Sequence, residues 1–127
     1  MGDILKELMS VEQSCADAFN QAKVQDILAY FSDEISGFSS TSHQRFNGKS
    51  DLEKTFDYYL SEAEKVTFEL SEPRAIDLGD MAILDFYWVV TLITGEKKSE
   101  INGRGSHVYQ RTNGEWKIIY EHFSRAH

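Results

Sequence analysis

Apolar side chains near the start of the chain, at Ile4, Leu5, Leu8, Val11, Cys15, Ala18, Phe19 and Ala22, recur at three- and four-residue steps. That is the period of a helix with one buried face, and Asp3 stands where its first turn would be capped. The segment "VQDILAYF" keeps the period through Ile27, Leu28 and Phe31 before "SDE" ends it, which predicts a second, short helix. "EISGFSS" then reads as extended chain. Asn47 and Gly48 mark a turn, and Ser50 followed by Glu53 is a capping-box spacing that opens a helix burying Leu52, Phe56 and Tyr59.

From Lys65 the period changes to that of strands. "VTFEL" alternates, "EPR" and "DLGD" supply breaks, and "MAILDFYWVVTLI" is rich in β-branched and aromatic residues. "TGEK" turns the chain again, and "TNGE" is an Asn-Gly hairpin signal between the last two strands. The order is helix, short helix, short strand, helix, then four long strands joined by hairpins. It predicts one α+β domain over residues 1–127, with three N-terminal helices wrapped against a curved antiparallel sheet. Strands this long must bend, and Gly79, Gly95, Gly103 and Gly105 are where bulges or curvature cost least. Helices laid across such a sheet leave a conical hollow.

Charge and cysteine content narrow the function classes. A net charge of −8 without any Lys/Arg cluster repels phosphate backbones and anionic lipid, so nucleic acid and membrane surfaces are not expected partners. Cys15 is the only cysteine, which excludes an intramolecular disulfide and makes a reducing cytoplasm the expected compartment. The opening "MGDILKELMS" has no basic and apolar leader, and Lys6 occupies the Ser/Thr position of a myristoylation signal. The four histidines lack metal-ligand spacing, and "GRG" leads into a strand rather than a helix. No metal and no cofactor are therefore expected.

The element order over nearly the whole chain, together with "NGEWKIIYEHFS", resembles the nuclear transport factor 2-like superfamily, within its SnoaL-like branch. The closing hairpin is also similar to the association domain of calcium/calmodulin-dependent kinase II. The resemblance implies a cone-shaped, cystatin-like fold that often dimerises through the convex sheet face. It implies no single reaction, because the scaffold hosts isomerases, dehydratases, polyketide cyclases and oligomerisation modules. In ketosteroid isomerase-like members the general base lies on the first strand, a position that here falls on Ser39. Their first-helix tyrosine falls on Cys15, and their second acid near Ser106 or His107. The pocket arginines of the association domain correspond to Trp88, His107 and Phe123.

Two criteria disagree over the last strand. Trp116, Ile118, Tyr120, His122 and Ser124 share one face, and Lys117, Ile119, Glu121, Phe123 and Arg125 the other. Binary patterning buries the tryptophan face. The resemblance instead assigns Trp116, Tyr120 and His122 to a convex, dimerising face and Ile119, Glu121 and Phe123 to the hollow. A two-residue Asn113-Gly114 turn sets His107 opposite Tyr120, whereas a three-residue loop with one bulged position sets it opposite Glu121. The bulged form is the expected one, since it alone brings His107 and Glu121 to the concave side.

The expected molecule is thus a homodimer whose hollow accepts a small, mostly apolar organic compound. Phe19, Leu52, Phe56, Phe86, Trp88, Tyr109, Ile119 and Phe123 are its candidate walls, with Cys15 on the helix side. Ser39, His107 and Glu121 are its polar contacts. If there is catalysis, it is cofactor-free isomerisation, dehydration or cyclisation, with Glu121 and His107 as acid and base. The plain structural alternative is that Glu121 only fixes the His107 tautomer. A third class is an assembly module in which the hollow is a by-product. His43, in a polar loop, reads as solvated, and Cys15 as inert packing rather than a nucleophile.

Overall fold

The computed structural model describes residues 3–126. Among them are the helices α1 (Asp3–Asn20), α2 (Val24–Leu28) and α3 (Gly48–Leu60), and the strands β1 (Phe31–Phe38), β2 (Phe46–Asn47), β3 (Lys65–Asp77), β4 (Met81–Thr94), β5 (Lys97–Thr112) and β6 (Glu115–Arg125). In α1 the buried stripe is Leu8, Glu12, Cys15, Ala16, Ala18 and Phe19, so an acid sits in the middle of the apolar face. The helix stops where Ala22 takes a φ of 57°. Asn20 then clamps it to the sheet: its side-chain oxygen accepts the Phe68 backbone N–H at 2.7 Å.

Two boundaries differ from expectation for local reasons. Phe31 begins β1 instead of continuing α2, because it pairs with Ile118 of β6. Helix α3 starts earlier than the Ser50–Glu53 box implies. Asn47 is its N-cap, and Asp51 reaches back to accept the Asn47 backbone N–H at 2.9 Å.

The six strands form one curved, unclosed sheet in the order β2-β1-β6-β5-β4-β3. It is antiparallel except where β1 runs parallel to β6, a pairing absent from the sequence expectation. On β4, Ala82, Leu84, Phe86, Trp88 and Val90 are buried, whereas Tyr87 on the opposite face is 53% exposed. The strands β4 and β5 pair without interruption from Met81↔Gln110 to Thr94↔Lys97, so Gly103 and Gly105 are not bulges. They make room instead. A Cβ on Gly103 would lie 2.2 Å from the Trp88 indole, and one on Gly105 2.6 Å from the Phe123 ring. Gly79 and Gly95 fall between strands.

The irregularities sit elsewhere. The "EPR" segment is not a break but a register shift inside β3, with Glu72 at a φ of 53°. The second shift lies in the final hairpin. Its Asn113-Gly114 connection is a tight two-residue turn, with Thr112 opposite Glu115. The extra residue comes later: Tyr109 pairs with Ile118 and Val108 with Tyr120, leaving Ile119 as the bulge. One bulge exchanges the faces of β6. Before it, Trp116 and Ile118 are buried; beyond it, Glu121 is buried and His122 is exposed. Each of the two conflicting criteria therefore holds for one half of the strand. Trp116 is not on the convex face: it packs edge-on against Tyr109 and donates its indole N–H to Glu7 of α1 at 3.1 Å.

Candidate active site

The bulge sets His107 of β5 opposite Glu121 of β6, both on the helix side of the sheet. The His107 Nε2 lies 2.7 Å from Glu121 Oε1, and its Nδ1 lies 2.5 Å from Oε2 of Glu12 on α1. The Tyr109 hydroxyl donates to the same Glu12 oxygen. All three core members are almost completely buried, at 2% exposure for Glu12 and 4% for His107 and Glu121. Carboxylates only accept hydrogen bonds, so an imidazole that satisfies one on each nitrogen must carry both protons. Burial pushes the His107 pKa down, but the adjacent Glu12 charge and the hydrogen bonds to Glu12 and Glu121 outweigh it and raise it to about 10. The imidazolium also sits among the Phe31, Phe86, Tyr109 and Phe123 rings, at centroid distances of 5.4 to 6.1 Å. Burial first, and then the Glu12 charge, push the Tyr109 hydroxyl and the Cys15 thiol up, which keeps both neutral.

The cluster forms one side of a pocket of about 70 Å³ between the sheet and the helices, partly open to solvent. Of the expected contacts, Cys15, Phe19, Ser39, Phe56, Trp88, His107, Glu121 and Phe123 line it. Leu52, Phe86, Tyr109 and Ile119 do not. Leu52 is core with no exposed surface, Phe86 packs its ring against His107 and Phe123, and Tyr109 lies behind Glu12. Ile119 is lost to the bulge. The polar rim is made of hydroxyls: Ser39 hydrogen-bonds Thr41 at 2.7 Å and Ser40 hydrogen-bonds Tyr59 at 2.6 Å. His43 is exposed, as its polar loop suggests.

Sequence reasoning missed Glu12, Phe31 and Phe68, all of which line the cavity. For Glu12 a signal existed, since Leu8, Glu12, Cys15 and Phe19 follow the four-three-four spacing of the buried stripe. Phe31 was assigned to the wrong element. Phe68 needed the strand register of β3 to declare its face.

The backbone also holds Glu121 in place. Gly37 of β1 pairs with Glu121, and a Cβ at Gly37 would fall 1.8 Å from the Glu121 carbonyl oxygen. Only glycine allows β1 to lie this close at a φ of 153°. Chemically, both His107 nitrogens are engaged, so a molecule in the cavity meets the ring and not a free nitrogen. The second oxygens of Glu121 and Glu12 have no hydrogen-bond partner among the described residues. Those carboxylate oxygens are the atoms able to take or return a proton. No group of acidic, histidine or cysteine side chains among the described residues is arranged to hold a metal ion. No helix among them is long and apolar enough to cross a membrane.

A family profile described as SnoaL-like domain matches residues 8–127. No curated protein matches the chain. Solved structures share the fold. A Xanthomonas campestris protein named as a calcium/calmodulin-dependent protein kinase II association domain is 20% identical over 94% of this chain and 86% of its own, with a TM-score of 0.84. A nuclear transport factor 2-like protein of unknown function from Pseudomonas putida is 21% identical, covering 98% and 87% of the two chains, with a TM-score of 0.84. A Novosphingobium aromaticivorans protein named as a scytalone dehydratase is 10% identical, covering 96% and 83%, also with a TM-score of 0.84. At these identities the likeness is one of fold.

Proposed function

The chain belongs to the SnoaL-like domain family of the nuclear transport factor 2-like superfamily, and from that premise we propose that it binds a small, mostly apolar organic molecule in the cavity beside Glu121. The observation that carries this reading is the lining itself, in which aromatic rings of Phe19, Phe31, Phe56, Phe68, Trp88 and Phe123 meet a buried carboxylate. Apolar walls with few convergent polar groups are the usual make-up of a small-molecule site. The pocket of about 70 Å³ is less than half of an engineered void of about 150 Å³ that admits benzene, so the part of the ligand it takes in is compact. Native mass spectrometry of the purified protein tests the reading, with Ala16→Leu as the variant that fills the cavity. An adduct lost on denaturation, absent from a folded Ala16→Leu protein, is the expected result. Equal adducts in both proteins, or none in either after exposure to small apolar compounds, refute it.

One feature favours a second reading, cofactor-free proton transfer. With Oε1 engaged by His107, Glu121 can take a proton from a carbon of the bound molecule on Oε2 and return it to another, an isomerisation that leaves atoms and charge balanced. His107 is then a positioning residue that holds both carboxylates by charge, not the partner acid expected from the sequence. Under this reading Glu121→Gln abolishes turnover in protein that remains folded and still binds the molecule. Turnover that persists in the folded variant makes the carboxylate a purely structural one. The convex face, where Tyr87 and Ile76 are each 53% exposed near Tyr120 and His122, is the proposed contact between two copies of the chain.

A further inference from the structure

Within the buried cluster a single imidazole faces two acidic side chains, Glu12 and Glu121, so the acidic groups outnumber the basic one. Among the described residues no Lys or Arg lines the cavity beside them. Charge at this depth is favoured by an opposite charge beside it, and a carboxylate oxygen by a donor. Among the described residues the buried polar atom without a partner is the Trp88 indole nitrogen, whereas the unpaired carboxylate oxygens are not sealed off and stay within reach of a ligand. Oε2 of Glu121, on a side chain only 6% exposed, and Oε1 of Glu12, on one 2% exposed, have no hydrogen-bond donor among the described residues, and both residues line the cavity. His107 cannot supply more, because its two N–H groups are already used. The Tyr109 hydroxyl is likewise spent on Glu12.

The opposite walls suit the same missing partner. Phe19, Phe31, Phe56, Phe68, Trp88 and Phe123 present aromatic rings to the space. Ring faces attract a cation more strongly the drier the site, and they also accept an alkyl chain. Resting on the small-molecule reading above, we propose that the ligand of this cavity is a small primary or secondary alkylammonium ion, its N–H groups on the free oxygens of Glu121 and Glu12 and its alkyl group among the rings. A neutral alcohol satisfies one acceptor but leaves the acidic groups in excess. A carboxylic acid anion adds a further acidic group and is excluded. With the ammonium bound, two basic groups face two acidic ones and each carboxylate gains a donor.

The test compares three probes of one chain length, n-butylammonium, butan-1-ol and butyrate, each titrated at neutral pH and fixed ionic strength. Chemical-shift changes of the His107 ring and the Trp88 indole N–H report binding at the cavity. The expected result is that butylammonium binds at least about tenfold more tightly than butanol, as charge-assisted hydrogen bonds and ring contacts require, and that butyrate gives no shifts. Glu121→Gln should remove that preference while leaving the weaker butanol binding in place, which separates the cavity from loose attraction to the acidic surface. Glu12→Gln, with the carboxylate at the other nitrogen removed, serves as the second variant should Glu121→Gln fail to fold. Butanol or butyrate binding as tightly as butylammonium overturns the charge assignment while the cavity reading stands. Absence of binding by all three to folded protein overturns both.

Discussion

His107 has no neutral form that satisfies both of its neighbours, because Glu12 on one side and Glu121 on the other offer only acceptors. The titratable groups facing it are Glu12 from α1, Tyr109 from β5 and Glu121 from β6, and no Lys or Arg among the described residues lines the pocket beside it. The consequence is a pH dependence with a definite sign. Unfolded, the ring releases its proton near its ordinary value of 6.5; folded, it holds the proton to about 10. The folded chain therefore binds the extra proton between those limits, and stability falls as pH rises through that window. Below 6.5 the contribution is complete. Melting temperatures recorded from pH 6 to about 10 should decline for the wild type and decline less for His107→Gln. That variant leaves two buried carboxylates without their cation, so urea unfolding should show a loss of about 3–5 kcal/mol at neutral pH. A loss below about 1 kcal/mol would place the ring among ordinary surface pairs.

At the level of elements, the last hairpin decides the site. Strand β6 changes face at Ile119, which lets Trp116 reach Glu7 of α1 and keeps Ile118 in the core while Glu121 and Phe123 turn to the cavity. Strand β5 contributes by what it lacks. The Phe123 and Phe86 rings lie over Gly105, within 2.9 Å of where a Cβ would be. Gly105→Ala should thus overpack the wall and cost about 1–3 kcal/mol in urea unfolding. The strain is against a side chain, so it should be relieved by Phe123→Leu, with a coupling of about 1 kcal/mol in the double-mutant cycle. Additivity would mean that the rings move aside without cost and that the glycine is not needed for their packing.

For the molecule as a whole, helices cover one face of the sheet and leave the other with Tyr87 and Ile76 more than half exposed. Val108 and Tyr120 pair on that same face, which lends it apolar continuity from β3 across to β6. If two copies meet there, sedimentation equilibrium should give twice the mass of the chain for the wild type. Tyr87→Arg, which places like charges opposite each other across a symmetric contact, should shift it to the monomer at micromolar concentration. An unchanged mass for that variant would remove the convex face from consideration as the contact.

Local periodicity was enough for the three helices, the four long strands and the helix-side face of β4, because each depends on spacing within one segment: 3.6 residues for α1, two for β4. The pairing of His107 with Glu121 was legible as one of two registers, but its cause was not, since the bulge sits at Ile119 and not in the Asn113-Gly114 turn. Tertiary structure alone decided that β1 runs parallel to β6 and that Trp116 packs on α1. It also brought Glu12, 95 positions away in the chain, onto His107. The physical reason is common to all three. Periodicity records which side of an element is buried, whereas a bulge, a parallel pairing and a buried ion cluster depend on what the distant partner offers, and no single segment carries that information.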